Sequence, residues 1–162
     1  MHGLFYKANK GGWVSKLIAF VTRRDRAKDA PPLSHYEHMF NPNTFYSASE
    51  VDGCTRFKSS KEIHPDSGNW VKVPIHLKSR QKRRIMDLCK EEEGRDYDTF
   101  GAMFWHTPYQ NPQKDFCSEQ GARHLIEVGY LRESNTKWSP NRLYKELLMI
   151  HLIHQKEKMN EL

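Results

Sequence analysis

The sequence predicts an α+β fold, and three observations predict it. A short helical apolar period lies near the start, strand-like alternation between turn signals follows, and the second half returns to helical periodicity. At 162 residues and 19.2 kDa the chain fits a single domain, 1–162, with no internal repeat or linker. Its 37% apolar residues, 12% aromatic residues among them, are enough to fill one core.

The elements follow in order. Lys7, Lys10 and nearby glycines occupy the opening, where a signal peptide would need a sustained apolar stretch. Residues 13–22 (WVSKLIAFVT) set Trp13, Leu17, Phe20 and Val21 at helical spacing, which predicts a first helix. The charged segment 25–32 ends in Pro31-Pro32, which blocks further helix. Strands are expected at 33–40, 44–49, 54–58 and 69–75, separated by turn signals at Asn41-Pro42-Asn43 and Asp52-Gly53. Sequential hairpins of this kind make a small antiparallel sheet. A helix is expected over 79–93, with Ile85, Leu88 and Cys89 on one face and Gly94 as its stop. A short apolar helix at 97–105 and a loop at 108–112 come next. Residues 116–130 then predict a helix whose buried stripe is Gly121, Ala122, Leu125 and Ile126. Pro140 opens a last helix to about 158, with Leu143, Leu147, Ile150 and Ile153 spaced for packing.

The net charge of +6 arises from 26 basic and 20 acidic residues, so both signs are abundant. Arg23, Arg24, Arg26 and Lys28 form one basic cluster; Lys78, Arg80, Lys82, Arg83 and Arg84 form another. Such clusters are most simply solvated helix ends and loops. The second runs into Asp87 and Glu91 to Glu93, which breaks up any single-sign patch, so nucleic acid is not the expected partner. Three widely spaced cysteines give neither a disulfide framework nor a CxxC knuckle. The longest apolar run, 17–21, is too short to span a bilayer. A reducing cytoplasmic setting and no cofactor are the expectations.

Cys117 stands at the first turn of a predicted helix in QKDFCSEQGARHL, with Asp115 as a candidate N-cap. Free backbone N–H groups and the helix dipole favour a thiolate at such a place. Cys54 and Cys89 sit in apolar patterns that suit structural cysteines. A nucleophilic cysteine needs a base. In LSHYEHMF, alternation sends Ser34, Tyr36 and His38 to one face and His35, Glu37 and Met39 to the other, so Glu37 can orient or charge His35. His38 points away, so the HxxH string cannot chelate a metal from a strand. His124 is a backup base. His151 and His154, three apart on the last helix, make half a zinc site without the ligands to complete it.

Four stretches together resemble a known family. They are LFYKANKGGWVSKLIAFVTRR at 4–24, LSHYEHMF at 33–40, YSASEVDGCTRFK at 46–58, and YDTFGAMF at 97–104 leading to the FCSEQGARHL helix start. Ser139-Pro140 with Leu143 fits the same pattern. In this order they are similar to the permuted papain-like amidases of the YaeF/YiiX kind, within the NlpC-like cysteine peptidase superfamily. The resemblance implies a circularly permuted papain-like fold, with the histidine strand first and the cysteine helix last. It implies Cys117 as nucleophile and His35 as base. The third, orienting group is Glu37, or Ser47 or Ser49 if it comes from the neighbouring strand as papain-like sites usually have it.

The function expected is therefore a cysteine hydrolase acting on an amide or ester, with a peptide, a cell-wall peptide or a lipid ester as substrate. Two other readings stand beside it. One is a non-catalytic binding or accessory protein, of a phage or mobile element, that keeps the fold. The other is a lipid acyltransferase or esterase, against which counts the lack of a second histidine near Ser47.

Overall fold

The structure is a computed structural model that describes residues 1–98, 116–134 and 137–161. Its centre is a five-stranded antiparallel sheet of β1 (His2–Lys7), β2 (Leu33–Asn41), β3 (Thr44–Ser49), β4 (Cys54–Lys58) and β5 (Trp70–Pro74). The spatial order is β4-β3-β2-β1-β5. The helices are α1 (Trp13–Val21), the single turn α2 (Ser60–Ile63), α3 (Ser79–Glu91), α4 (Cys117–Glu127) and α5 (Pro140–Asn160). The α+β class expected from the sequence is the class observed.

Four of the strands stand within a residue or so of their expected places. β1 is the strand that periodicity missed. It is an interior strand, pairing with β2 on one side and β5 on the other, so the sheet is more than a chain of sequential hairpins. Six residues with one glycine carry too little alternation to announce a strand, although Leu4 and Phe5 are both fully buried. The short turn α2 was also unforeseen; Ser59 and Glu62 close it with a capping box. The predicted helix at 97–105 and loop at 108–112 lie largely or wholly outside the described residues.

Period-2 alternation gives the sheet two distinct faces. Phe5, Tyr36, Phe40, Tyr46 and Val73 point into the main core with Ile85, Leu125, Leu143 and Leu147 of α3, α4 and α5. Leu4, Met39 and Phe45 point the other way, onto Ile63 and Trp70. One irregularity positions the site. β1 accompanies β2 from Met39 back to Leu33, whereas β2 and β3 pair only between His38 and Asn41. Beyond that point the two strands are no longer paired backbone to backbone, and the Ser47 hydroxyl spans the gap to the Tyr36 carbonyl at 2.6 Å. Phe116, at the start of α4, packs there against Ala48 of β3 and Tyr97.

Candidate active site

Cys117 is the first residue of α4 and Phe116 is its N-cap; no side chain among the described residues caps the helix. The expected cap, Asp115, lies outside the described residues. What lets α4 lie so close to β2 is Gly121, one turn further on. A Cβ there would stand 2.2 Å from Cε1 of Tyr36, well inside contact distance. The Gly121–Leu125 face points at the sheet as expected, and it carries the Cys117 thiol into the gap between β2 and β3.

His35 meets the thiol in that gap. The imidazole lies close enough to Cys117 to feel its charge, and Nε2 lies 2.9 Å from Oε1 of Glu37. With Nε2 committed to the carboxylate, Nδ1 is the ring nitrogen left for sulfur. Burial alone would lower the His35 pKa. The negative charge of Cys117, then the bond and charge of Glu37, outweigh it and raise the imidazole to about 9.

Glu37 is completely buried and is held on its far side by Arg56 of β4. Nη2 of Arg56 donates to Oε1 at 2.6 Å, and Nη1 donates to Oε2 at 3.0 Å. Burial works against the charged carboxylate, but the bonds from His35 and Arg56 keep its pKa below the usual value. The fork of the guanidinium matches the carboxylate at two points, which fixes the plane of Glu37 as well as its charge. Arg56 is anchored in turn by Asp52, whose Oδ2 accepts from Nε at 2.7 Å. A continuous polar line therefore runs Cys117–His35–Glu37–Arg56–Asp52.

Ser47 and Ser49, the other candidates for the orienting position, do not reach His35. The Ser47 hydroxyl donates to the Tyr36 and Ala48 carbonyls, and Ser49 Oγ accepts from the Asp52 amide. Glu37 occupies the position itself. Arg56 and Asp52 were missed by sequence reasoning, because Arg56 reaches Glu37 from another strand and Asp52 matters only through Arg56. Ser47 stands opposite Arg56 in the β3–β4 register, and its small side chain leaves the guanidinium room to cross towards β2.

The line opens on a cleft of about 940 Å³ over the second face of the sheet. His35, Glu37, Arg56 and Trp70 form part of its floor, and Val14, Ser15 and Ile18 of α1 form one wall. Cys117 is only 2% exposed and lies behind this cleft. It lines a cavity of about 10 Å³ with Thr22, Phe116 and Pro140, and that cavity shares Ile18, Ser34 and Tyr97 with the large one.

A second Cys–His–Glu arrangement lies on the opposite face of the sheet. Cys89 Sγ is 3.7 Å from Nδ1 of His124, and Nε2 of His124 is 2.8 Å from Oε2 of Glu92. His38 Nε2 also meets His124 Nδ1 at 3.2 Å, and Tyr36 closes the network on His38. Cys89 is fully buried, and burial with the Glu92 charge pushes its thiol far up, so it stays protonated. His124 therefore serves this core network and is not placed as a backup base for Cys117. Cys89 is structural, as expected; Cys54 is a half-buried residue at the start of β4.

His151 and His154 find a third histidine, His76, whose Nε2 lies 2.8 Å from Nδ1 of His151. Among the described residues, however, no group of three or more ligand side chains is placed to hold a metal ion. Nor is any described helix long and apolar enough to cross a membrane. Comparison of the chain with family models, with curated proteins and with solved structures finds no match.

Proposed function

We propose that this protein is a cysteine hydrolase, a peptidase or amidase with a circularly permuted papain-like fold, in which Cys117 is the nucleophile, His35 the base and Glu37 the orienting group. The observation that carries the reading is a thiol beside an imidazole that is itself hydrogen-bonded to a buried, Arg56-clamped Glu37 at the edge of a large cleft. A carboxylate buried at the cost of desolvation and held on two sides is an expensive way to decorate a strand. It is an effective way to hold an imidazole beside a thiol. The order of the chain, with the histidine strand before the cysteine helix, supports the permuted form.

In the reaction His35 accepts the Cys117 proton, and the resulting imidazolium is stabilised by Glu37. The thiolate attacks the carbonyl carbon of an amide or ester to form a tetrahedral oxyanion. Collapse breaks the bond to the leaving group, which takes its proton from His35, and leaves an acyl-thioester on Cys117. Water, deprotonated by His35, then releases the acid and regenerates the thiol. Peptides, cell-wall peptides and lipid esters are the substrate classes to test. The free thiols of Cys54, Cys89 and Cys117 suit a reducing, cytoplasmic setting.

A second reading, a binding module that keeps the fold without catalysis, is favoured by one observation: Cys117 is nearly closed off from the cleft. Labelling native protein with iodoacetamide near neutral pH separates the two. Cys117 alkylating much faster than Cys89 or Cys54, with turnover of a peptide, muropeptide or lipid-ester panel lost in Cys117→Ser, supports the hydrolase. Equal labelling of the three cysteines, with no turnover, supports the binding module.

A further inference from the structure

We infer that Ser34 is a catalytic residue, its hydroxyl and the N-terminus of α4 together forming the subsite that receives the negative oxygen of an acyl substrate. The inference rests on Cys117 being the nucleophile and adds the group that stabilises what the nucleophile creates. Two independent observations meet here. The first is the start of the eleven-residue helix α4, whose N-cap Phe116 has no side-chain acceptor to offer the first-turn N–H groups. The second is Ser34 itself. Its side chain is 2% exposed, its hydroxyl is buried with no hydrogen-bond partner, and it lines the small cavity that Cys117 also lines.

Buried hydroxyls are ordinarily satisfied, and one left unsatisfied destabilises the fold, so its retention asks for a reason. A donor without a partner in the resting state, beside a nucleophile, is what an oxyanion requires. It is already desolvated and need not break a bond to respond when charge develops. Alternation on β2 explains the placement. His35 faces the cleft, and Ser34, its immediate neighbour, turns towards the helices; the two approach the thiol from different sides. His35 can then handle the proton while Ser34 faces the oxygen. Ser34 also lines the large cleft, so a carbonyl entering from there reaches the hydroxyl on its way to sulfur.

The test compares two reagents at the same thiol. Iodoacetamide alkylates sulfur by displacement at carbon and builds no oxyanion. p-Nitrophenyl acetate acylates it through a tetrahedral oxyanion and releases p-nitrophenolate. In Ser34→Ala the acylation burst should slow by about 10²-fold, the cost of one such donor, while alkylation of Cys117 keeps its rate. Ser34→Thr, which keeps the hydroxyl, should recover most of the burst. An undiminished burst in Ser34→Ala overturns the inference. So does equal slowing with both reagents, which would mark Ser34 as structural. If Cys117 of the unmodified protein reacts with neither reagent, the nucleophile reading fails first and this inference falls with it.

Discussion

Replacing Cys117 by serine should lower the titration midpoint of His35, and by more than replacing Glu37 by glutamine does. The imidazole stands at about 9 against an ordinary 6.5, which corresponds to about 3 kcal/mol favouring its charged form. At 22% exposed it is shielded enough from water for that preference to be felt. Burial opposes the charge; Cys117 contributes most of what overcomes it, and Glu37 the rest. Removing the sulfur therefore leaves burial opposed by Glu37 alone. Removing the carboxylate leaves the larger contribution in place. The sign for stability follows. A midpoint raised by folding stabilises fully below 6.5, and the contribution is lost as pH climbs through about 9. The assay is a proton–carbon NMR titration of ring-labelled protein, with His35 assigned among nine histidines by His35→Asn. A wild-type midpoint near 6.5, or one that Cys117→Ser leaves unmoved, would refute the pairing.

Two further outcomes test the frame around the site. Gly121→Ala places a methyl group into the Tyr36 ring and should cost about 1–3 kcal/mol by urea unfolding. It should also slow Cys117 alkylation by moving the start of α4, and an unchanged rate would show that the close approach does not position the thiol. Glu92 is 6% exposed. Burial would raise its carboxyl, but His124, Arg123 and Arg95 hold it down at about 2 from 4.5. The depressed midpoint gives about 3 kcal/mol that is present above 4.5 and lost as pH falls through about 2. Glu92→Gln should flatten the acid limb of the pH–stability curve, whereas parallel limbs would remove Glu92 from the acid unfolding.

Much of this was legible in the sequence, where local patterns carry information. The period-2 register of LSHYEHMF put His35 and Glu37 on one face and His38 on the other, and the structure agrees. The helix periods of 79–93, 116–130 and 140–158 located α3, α4 and α5 to within a few residues. What stayed hidden was non-local. β1 is flanked on both sides and buries Gly3, Leu4 and Phe5 in succession, so it shows no alternation to read. Arg56 acts on Glu37 from 19 positions away, on a strand two places over in the sheet. Ser34 reads as an ordinary strand serine until its hydroxyl is found buried and alone.

The contrast between the two Cys–His–Glu sets says what makes one a site and the other core. Each joins a thiol to an imidazole and a carboxylate, and in both a guanidinium backs the carboxylate, Arg56 on Glu37 and Arg123 on Glu92. They differ in where the sulfur stands. Cys89 lies in the third turn of α3, where burial and the Glu92 charge push its thiol up, and His124 Nδ1 is shared between it and His38. Cys117 opens α4, where the helix dipole favours negative charge, and its partner His35 gives Nε2 to Glu37 and floors the cleft. Residue types alone do not separate these two sets. A helix start and a base not shared with a second imidazole separate them. Both differences support assigning the proposed chemistry to Cys117.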